Sequence, residues 1–198
     1  MNKIKIIALF LFMVASQAYG QNEVYMDQVG DSSTITITQT GQDNIIGTTL
    51  NPIFIGGGSN TVTIDQIGDT NTLQVLINGA STNMALSVTG NDNTQTIICG
   101  TILNASCSGS TINQTIHGDN NITTVNLGAG ANHTSIMNIT GDSNQVTHTS
   151  TSTGTTSANI TISGNSNTIG VTQSGTLTNS VVLTSTGNSS TVNITQSN

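Results

Sequence analysis

The sequence predicts an all-β solenoid of seven strand–turn–strand repeats, with two strands per rung and cross-β stacking. Three observations predict it: a glycine tetrad that returns along the chain, an apolar–polar alternation around each tetrad, and a near absence of charge. Repeat periods of roughly 20–50 residues indicate stacked units that bury their cores only against one another. We therefore expect the function to lie in the stacking.

Each tetrad begins with glycine and continues with Asp, Asn, Ser and, once, Thr, and the last three intervals between tetrads are 23 residues each. Glycine adopts backbone angles closed to other residues, and Asp and Asn favour turns. The predicted repeat turns start at Gly30, Gly68, Gly90, Gly118, Gly141, Gly164 and Gly187. A second turn per unit is predicted at Gly41, Gly79, Gly100, Gly128, Gly154 and Gly175.

Apolar residues alternate with Thr, Ser and Asn on both sides of each tetrad, which is the pattern of half-buried strands. Stacking in phase predicts three interior rows. One row runs Ile37, Val75, Ile97, Val125, His148, Val171 and Ile194. The next begins with Ile35 and Leu73, and an amide row begins with Ser33 and Asn71. The same phase predicts that His148 points inward, and that His117 and His133 point outward.

Charge is confined to two basic residues, Lys3 and Lys5, and nine acidic ones, for a net charge of −7. The two lysines precede a short apolar stretch and a small-residue site, so residues 1–20 are predicted to be a secretory signal peptide. The repeat domain is predicted over 21–198, with insertions at about 42–58 and 100–108. The scarcity of Lys and Arg argues against nucleic-acid binding. No later segment is apolar enough to span a bilayer.

The first unit reads Gln28-x-Gly30-x-x-Ser33-x-Ile35-x-Ile37-x-Gln39. This is similar to the curlin repeat of bacterial curli subunits, Gln-x-Gly-x-x-Asn-x-Ala-x-Val-x-Gln. Glycine and the Asn or Ser three residues later match in all seven units. Glutamine is kept mainly towards the two ends, at Gln28, Gln39, Gln66, Gln173 and Gln196. The middle units carry aliphatic residues at the first glutamine position.

The resemblance implies a secreted, non-enzymatic structural subunit that polymerises into extracellular functional amyloid for adhesion or biofilm matrix. It implies export by a Sec signal through the periplasm to a cell-surface fibre of the fimbrium or pilus kind. The expected partners are other copies of the chain, a nucleator subunit and outer-membrane export machinery. No cofactor is expected. The alternative is a monomeric Thr-rich solenoid that acts as an adhesin or ice-binding protein, since Thr34, Thr36 and Thr38 form an outward run.

Cys99 and Cys107 bracket a short insertion, and in an exported chain a disulfide between them is expected; two buried thiols are the alternative. The Asp residues lie mostly at turns, as Asp31, Asp69, Asp119 and Asp142 illustrate. These positions fit Asp residues that form turns and limit aggregation at exposed strand edges. Stacked carboxylates are also compatible with a Ca²⁺ site or a glycosidase pair.

The first and last rungs are predicted to be open edges, because no polar or helical cap is visible in the sequence at either end. The predicted polymerisation edges comprise Gln28, Gln39, Gln173, Val192, Ile194 and Gln196. Head-to-tail addition is expected through the first and last repeats. Proline at Val192 or Ile194 is expected to remove ladder donors from the growing edge.

Overall fold

Short β-branched segments between turns favour strands over helices, and the computed structural model contains strands throughout. It describes residues 20–27, 33–47, 53–56, 58–77, 79–98, 100, 107–128 and 130–198. Within these ranges all regular structure is strand, and no helix is long and apolar enough to cross a membrane. Residues 1–19 of the predicted signal segment and the repeat turn predicted at Gly30 lie outside the described residues.

Two parallel sheets face each other and form the solenoid. Strands that precede the glycine turns make the pre-turn sheet, and strands that follow them make the post-turn sheet. The pre-turn sheet contains β3 (Thr34–Thr40), β6 (Thr61–Ile67), β8 (Asn83–Thr89), β10 (Thr111–His117), β12 (Thr134–Thr140), β14 (Thr156–Ser163) and β16 (Asn179–Thr186).

The post-turn sheet has one strand more. It contains β1 (Glu23–Val24), β4 (Ile45–Ile46), β7 (Thr72–Val75), β9 (Thr94–Ile97), β11 (Ile122–Leu127), β13 (Gln145–Ser150), β15 (Thr168–Ser174) and β17 (Thr191–Ser197). A small separate pair joins β2 (Met26–Asp27) and β5 (Ile53–Phe54). One pre-turn strand, its turn and the following post-turn strand make one coil, so the described residues form seven coils, numbered 1 to 7 from β3.

The core lies between the two sheets, where alternate residues of every full-length coil point inward. Val62, Ile64, Leu73 and Val75 of coil 2 are at most 1% exposed. The predicted interior rows are confirmed from coil 2 onward: Val75 pairs with Ile97, and the row continues to His148, Val171 and Ile194. The predicted β-solenoid is therefore confirmed, with two principal strands per coil.

The prediction for the first unit is wrong in its register. Thr34–Thr40 lies in the pre-turn sheet, where Ile35 pairs with Val62 and Ile37 with Ile64. The turn equivalent to Gly68 is therefore Gly41, which was predicted to be a second turn. The physical reason is that Gly41 is followed three residues later by Asn44, which continues the asparagine row better than Ser33. The predicted insertion at about 42–58 thus contains a repeat turn and β4.

Each repeat turn bends at two residues with positive φ. The turn glycines have φ between 114° and 136°. The second position, two residues after each glycine, has φ between 55° and 61° and holds Asp43, Thr70, Asp92, Asn120, Ser143, Ser166 and Ser189. Asp, Asn and Ser form local hydrogen bonds that suit turns, and Asn and Asp tolerate this left-handed region best. The tetrad composition therefore follows from the turn geometry.

Candidate functional site: the two open ends of the stack

A column of asparagines runs along the turn corner and holds neighbouring coils together. In coil 2, the Nδ2 of Asn71 donates to the Oδ1 of Asn44 at 3.1 Å and to the carbonyl of Gly90 at 2.7 Å. Its own Oδ1 accepts from the Nδ2 of Asn93 at 3.0 Å. The column consists of Asn22, Asn44, Asn71, Asn93, Asn121, Asn144 and Asn167, and ends at Ser190. Asn22 and Asn44 are members that the sequence reading missed.

A second column lies beside it, at the residue after each turn glycine. The backbone N–H of Asp119 donates to the Oδ1 of Asp142 at 2.9 Å, and that of Asp69 donates to the Oδ1 of Asn91 at 2.8 Å. The carboxylates therefore act as acceptors for the backbone of the preceding coil. Among the described residues, no group of three or more His, Cys, Asp or Glu side chains could hold a metal ion. Asp31 lies outside the described residues.

The C-terminal end of the stack is formed by the edge strands β16 and β17. In a parallel ladder, alternate residues direct their backbone groups to opposite neighbours. The N–H of Thr168 donates forward to the carbonyl of Ser190 at 2.8 Å, and Thr168 pairs with Thr191. By the same geometry, the backbone groups of Thr191, Asn193 and Thr195 point away from the stack.

This geometry corrects the predicted role of Val192 and Ile194. Their side chains are half-buried against the core, and their backbone groups face β15 rather than the open side. Proline at either position would therefore break bonds within the chain itself. The outward donors belong to the exposed residues between them. The alternation of the sequence identifies the inward side chains but does not show which backbone groups face forward.

The N-terminal end is formed by β1 and β3. Val24 and Met26 are apolar, yet they are 45% and 49% exposed. Ile35 and Ile37 are only partly buried, whereas the equivalent Val62 and Ile64 in coil 2 are almost completely buried. This end therefore exposes core residues that later coils cover with another coil.

Glutamine pairs lie near both ends. The Nε2 of Gln39 donates to the Oε1 of Gln66 at 3.0 Å in coils 1 and 2. The Nε2 of Gln173 donates to the Oε1 of Gln196 at 3.0 Å in coils 6 and 7. Gln28 lies outside the described residues. The role of these glutamines as polymerisation contacts stays a prediction.

Two histidines are buried in coil 5. His148 lies inward, as predicted: its Nδ1 is 2.9 Å from the Ser135 hydroxyl and its Nε2 is 3.0 Å from the Gln173 Oε1. The outward prediction for His133 is wrong, because this residue is also completely buried. The Nδ1 of His133 accepts the backbone N–H of Thr156 at 3.2 Å. Its even spacing from the inward residues Ser135 and Met137 is the sequence signal that would have placed it inside.

Acid is expected to destabilise the fold through these histidines. Burial lowers the pKa of His148 to about 4, with a smaller lowering from nearby His133, while its hydrogen bond to Gln173 opposes the shift. Burial also lowers the pKa of His133. An unfolded histidine titrates near pH 6.5, so the unfolded chain takes up protons first as pH falls. The stability contribution of neutral His148 is complete above about pH 6.5 and is lost as pH falls towards about 4.

From His148 alone we expect a loss of about 3 kcal/mol in the free energy of unfolding across that range. Urea unfolding of the monomer, followed by circular dichroism at several pH values, measures it. The matched variant is His148→Gln, in which the dependence should shrink to the part due to His133. An identical pH dependence in both proteins would contradict this assignment.

Cys107 is completely buried and disulfide-bonded. The sequence contains two cysteines, and the other, Cys99, lies outside the described residues. The predicted pairing of Cys99 with Cys107 accordingly stays a prediction. Cys107 lies directly before the turn that leads into β10, so its sulfur is held at a buried point of the stack.

Comparison with known families gives a match to a repeat family. The family described as Curlin associated repeat matches residues 16–41 and 164–197. The described residues of these two segments lie at opposite ends of the stack and include Gln39, Gln173 and Gln196. No curated protein and no solved structure matches the chain. The resemblance seen in the sequence is confirmed over these segments: two parts of the chain match the curlin associated repeat, and the fold is a β-solenoid.

Proposed function

We propose that the chain is an exported structural subunit that assembles head to tail into extracellular, curli-like amyloid fibres for adhesion or biofilm matrix. The observation that carries the proposal is the pair of open ends. Among the described residues, β16 and β17 have unpaired outer sides at one end, and β1 and β3 have them at the other. Exposed parallel edges are templates for pairing with another chain.

The two ends are also complementary in chemistry. The asparagine column begins at Asn22 and ends at Ser190, so stacking would bring Asn22 of one copy beside Ser190 of the next. A serine hydroxyl accepts an amide N–H. The exposed Val24 and Met26 would be covered by the last coil of the neighbouring copy. With no Lys or Arg after Lys5 to form salt bridges, backbone and amide hydrogen bonds and these apolar contacts would hold such a joint.

The glutamines strengthen the same interpretation. Gln28, Gln39, Gln173 and Gln196 are placed towards the ends of the repeat array. Gln173 and Gln196 pair in the post-turn sheet, where their amide ladder would continue into the next copy, whereas Gln39 lies in the pre-turn sheet. We further propose that the mature subunit reaches the cell surface through a Sec signal and the periplasm. A nucleator subunit and outer-membrane export machinery would be its partners, as the curlin repeats suggest.

Purified chain lacking residues 1–20, left at rest, tests the proposal. We expect fibres in the electron microscope, thioflavin fluorescence, and diffraction near 4.8 Å and about 10 Å. A chain that stays monomeric under all assembly conditions would contradict it. Thermal hysteresis in such a monomer would instead favour the ice-binding form of the Thr-rich alternative.

A further inference from the structure

The glutamine pair at the C-terminal end has a defined donor direction. The Nε2 of Gln173 donates to the carbonyl oxygen of Ser157 at 3.2 Å as well as to the Oε1 of Gln196. A backbone carbonyl only accepts hydrogen bonds, so this contact assigns the nitrogen and oxygen of the amide. The Nε2 of Gln196 donates in the same way to the carbonyl of Ser180 at 3.0 Å. These two carbonyl contacts lie within one coil, whereas the other N–H of Gln173 is directed to the next coil. Gln196 accepts that N–H on its Oε1, so its Nε2 lies on the side of the amide that faces the C-terminal end.

His148 supplies the start of this ladder. In coil 5 the position equivalent to Gln173 is occupied by Ser150, which has no amide. The Oε1 of Gln173 is completely buried with its side chain, and His148 Nε2 contacts it at 3.0 Å. Because that oxygen only accepts, His148 must carry its proton on Nε2. Its Nδ1 then accepts from the Ser135 hydroxyl at 2.9 Å.

We propose that His148 is a positioning residue for subunit docking: its Nε2–H fixes the Gln173 amide, which fixes Gln196 with an N–H directed at the next subunit. The inference rests on the proposed function. In coil 6, the second N–H of Gln173 is used by Gln196. The equivalent N–H of Gln196 has no following coil among the described residues to receive it. A polar chain thus runs from Ser135 in the core to the last coil.

The first test determines directly which ring nitrogen of His148 carries the proton. Nitrogen NMR of the soluble monomer at neutral pH should show His148 as the neutral Nε2–H tautomer. The Nδ1–H tautomer would overturn the positioning role without affecting the proposal that the chain forms fibres. This readout needs no assembly, so it separates the two proposals.

The second test measures elongation from wild-type seeds. His148→Met leaves the buried Gln173 oxygen without its donor, and we expect elongation to slow about tenfold. His148→Gln keeps an amide donor and should restore most of the rate. Val75→Ala, in the same interior row but in coil 2, is the control for general destabilisation. If it slows growth as much as His148→Met at matched stability, the role is only structural and the proposal fails.

A double variant completes the experiment. In a Gln196→Met background the ladder no longer reaches the end, so adding His148→Met should leave the elongation rate almost unchanged. Independent, multiplying effects of the two substitutions would overturn the relay. A wild-type chain that never elongates would overturn the proposed function, and the docking role would fall with it.

Discussion

Proline in place of Asn193 is expected to slow fibre growth strongly while the monomer stays folded. The N–H of Asn193 points off the open side of β17, so its loss breaks no bond within the chain. Proline also places its ring where the next strand must approach. A cost of about 3 kcal/mol per joint corresponds to an elongation rate about 100-fold lower. Seeded growth followed by thioflavin fluorescence measures the rate, and urea unfolding reports monomer stability.

Two variants accompany this substitution. Asn193→Ala removes the same exposed side chain but keeps the N–H, so it should grow at nearly the wild-type rate. Val192→Pro breaks a bond to β15 and should lower the stability of the monomer itself. Normal growth of Asn193→Pro would rule out stacking through β17. Equal slowing by proline and alanine would assign the effect to the side chain.

The interior of the stack could be predicted from the sequence because burial selects residues at every second position. This reading placed Val75, Val125 and Val171 in one row, and the strand pairs confirm it. The first coil was misplaced for a related reason. The alternation in Thr34–Thr40 fits either sheet equally well, so only the turn decides. Gly41 with Asn44 is the turn that continues the asparagine column.

Less of the candidate site could be predicted. The open ends follow from repetition, and the glutamines near them are visible in the sequence. The forward direction of the Asn193 N–H depends on how each strand pairs, which the side-chain pattern does not contain. The contact between His148 and Gln173 joins different rows of adjacent coils, so no single column of the repeat reveals it. Burial of His133 was accessible from its spacing alone.

Alanine at Gly141 is expected to unfold the coils around it, whereas alanine at Gly187 should be tolerated. Both glycines have positive φ, at 118° and 114°, which strains any side chain by about 1–3 kcal/mol. A Cβ on Gly141 would also overlap the carbonyl oxygen of Gly164 in the next coil. A Cβ on Gly187 meets nothing within 4 Å, because it lies on the last coil.

We therefore expect Gly141→Ala to lower the free energy of unfolding by more than about 5 kcal/mol, enough to abolish a marginally stable fold. Gly187→Ala should cost only the backbone strain, about 1–3 kcal/mol. Urea unfolding under identical conditions gives the free energy of unfolding of each variant monomer. Because both glycines have a similar positive φ, the cost of backbone strain cancels when the two losses of stability are subtracted. That difference measures how closely one turn packs on the next. Equal losses of stability would mean that backbone strain dominates. They would also mean that the Gly164 carbonyl does not pack closely against Gly141.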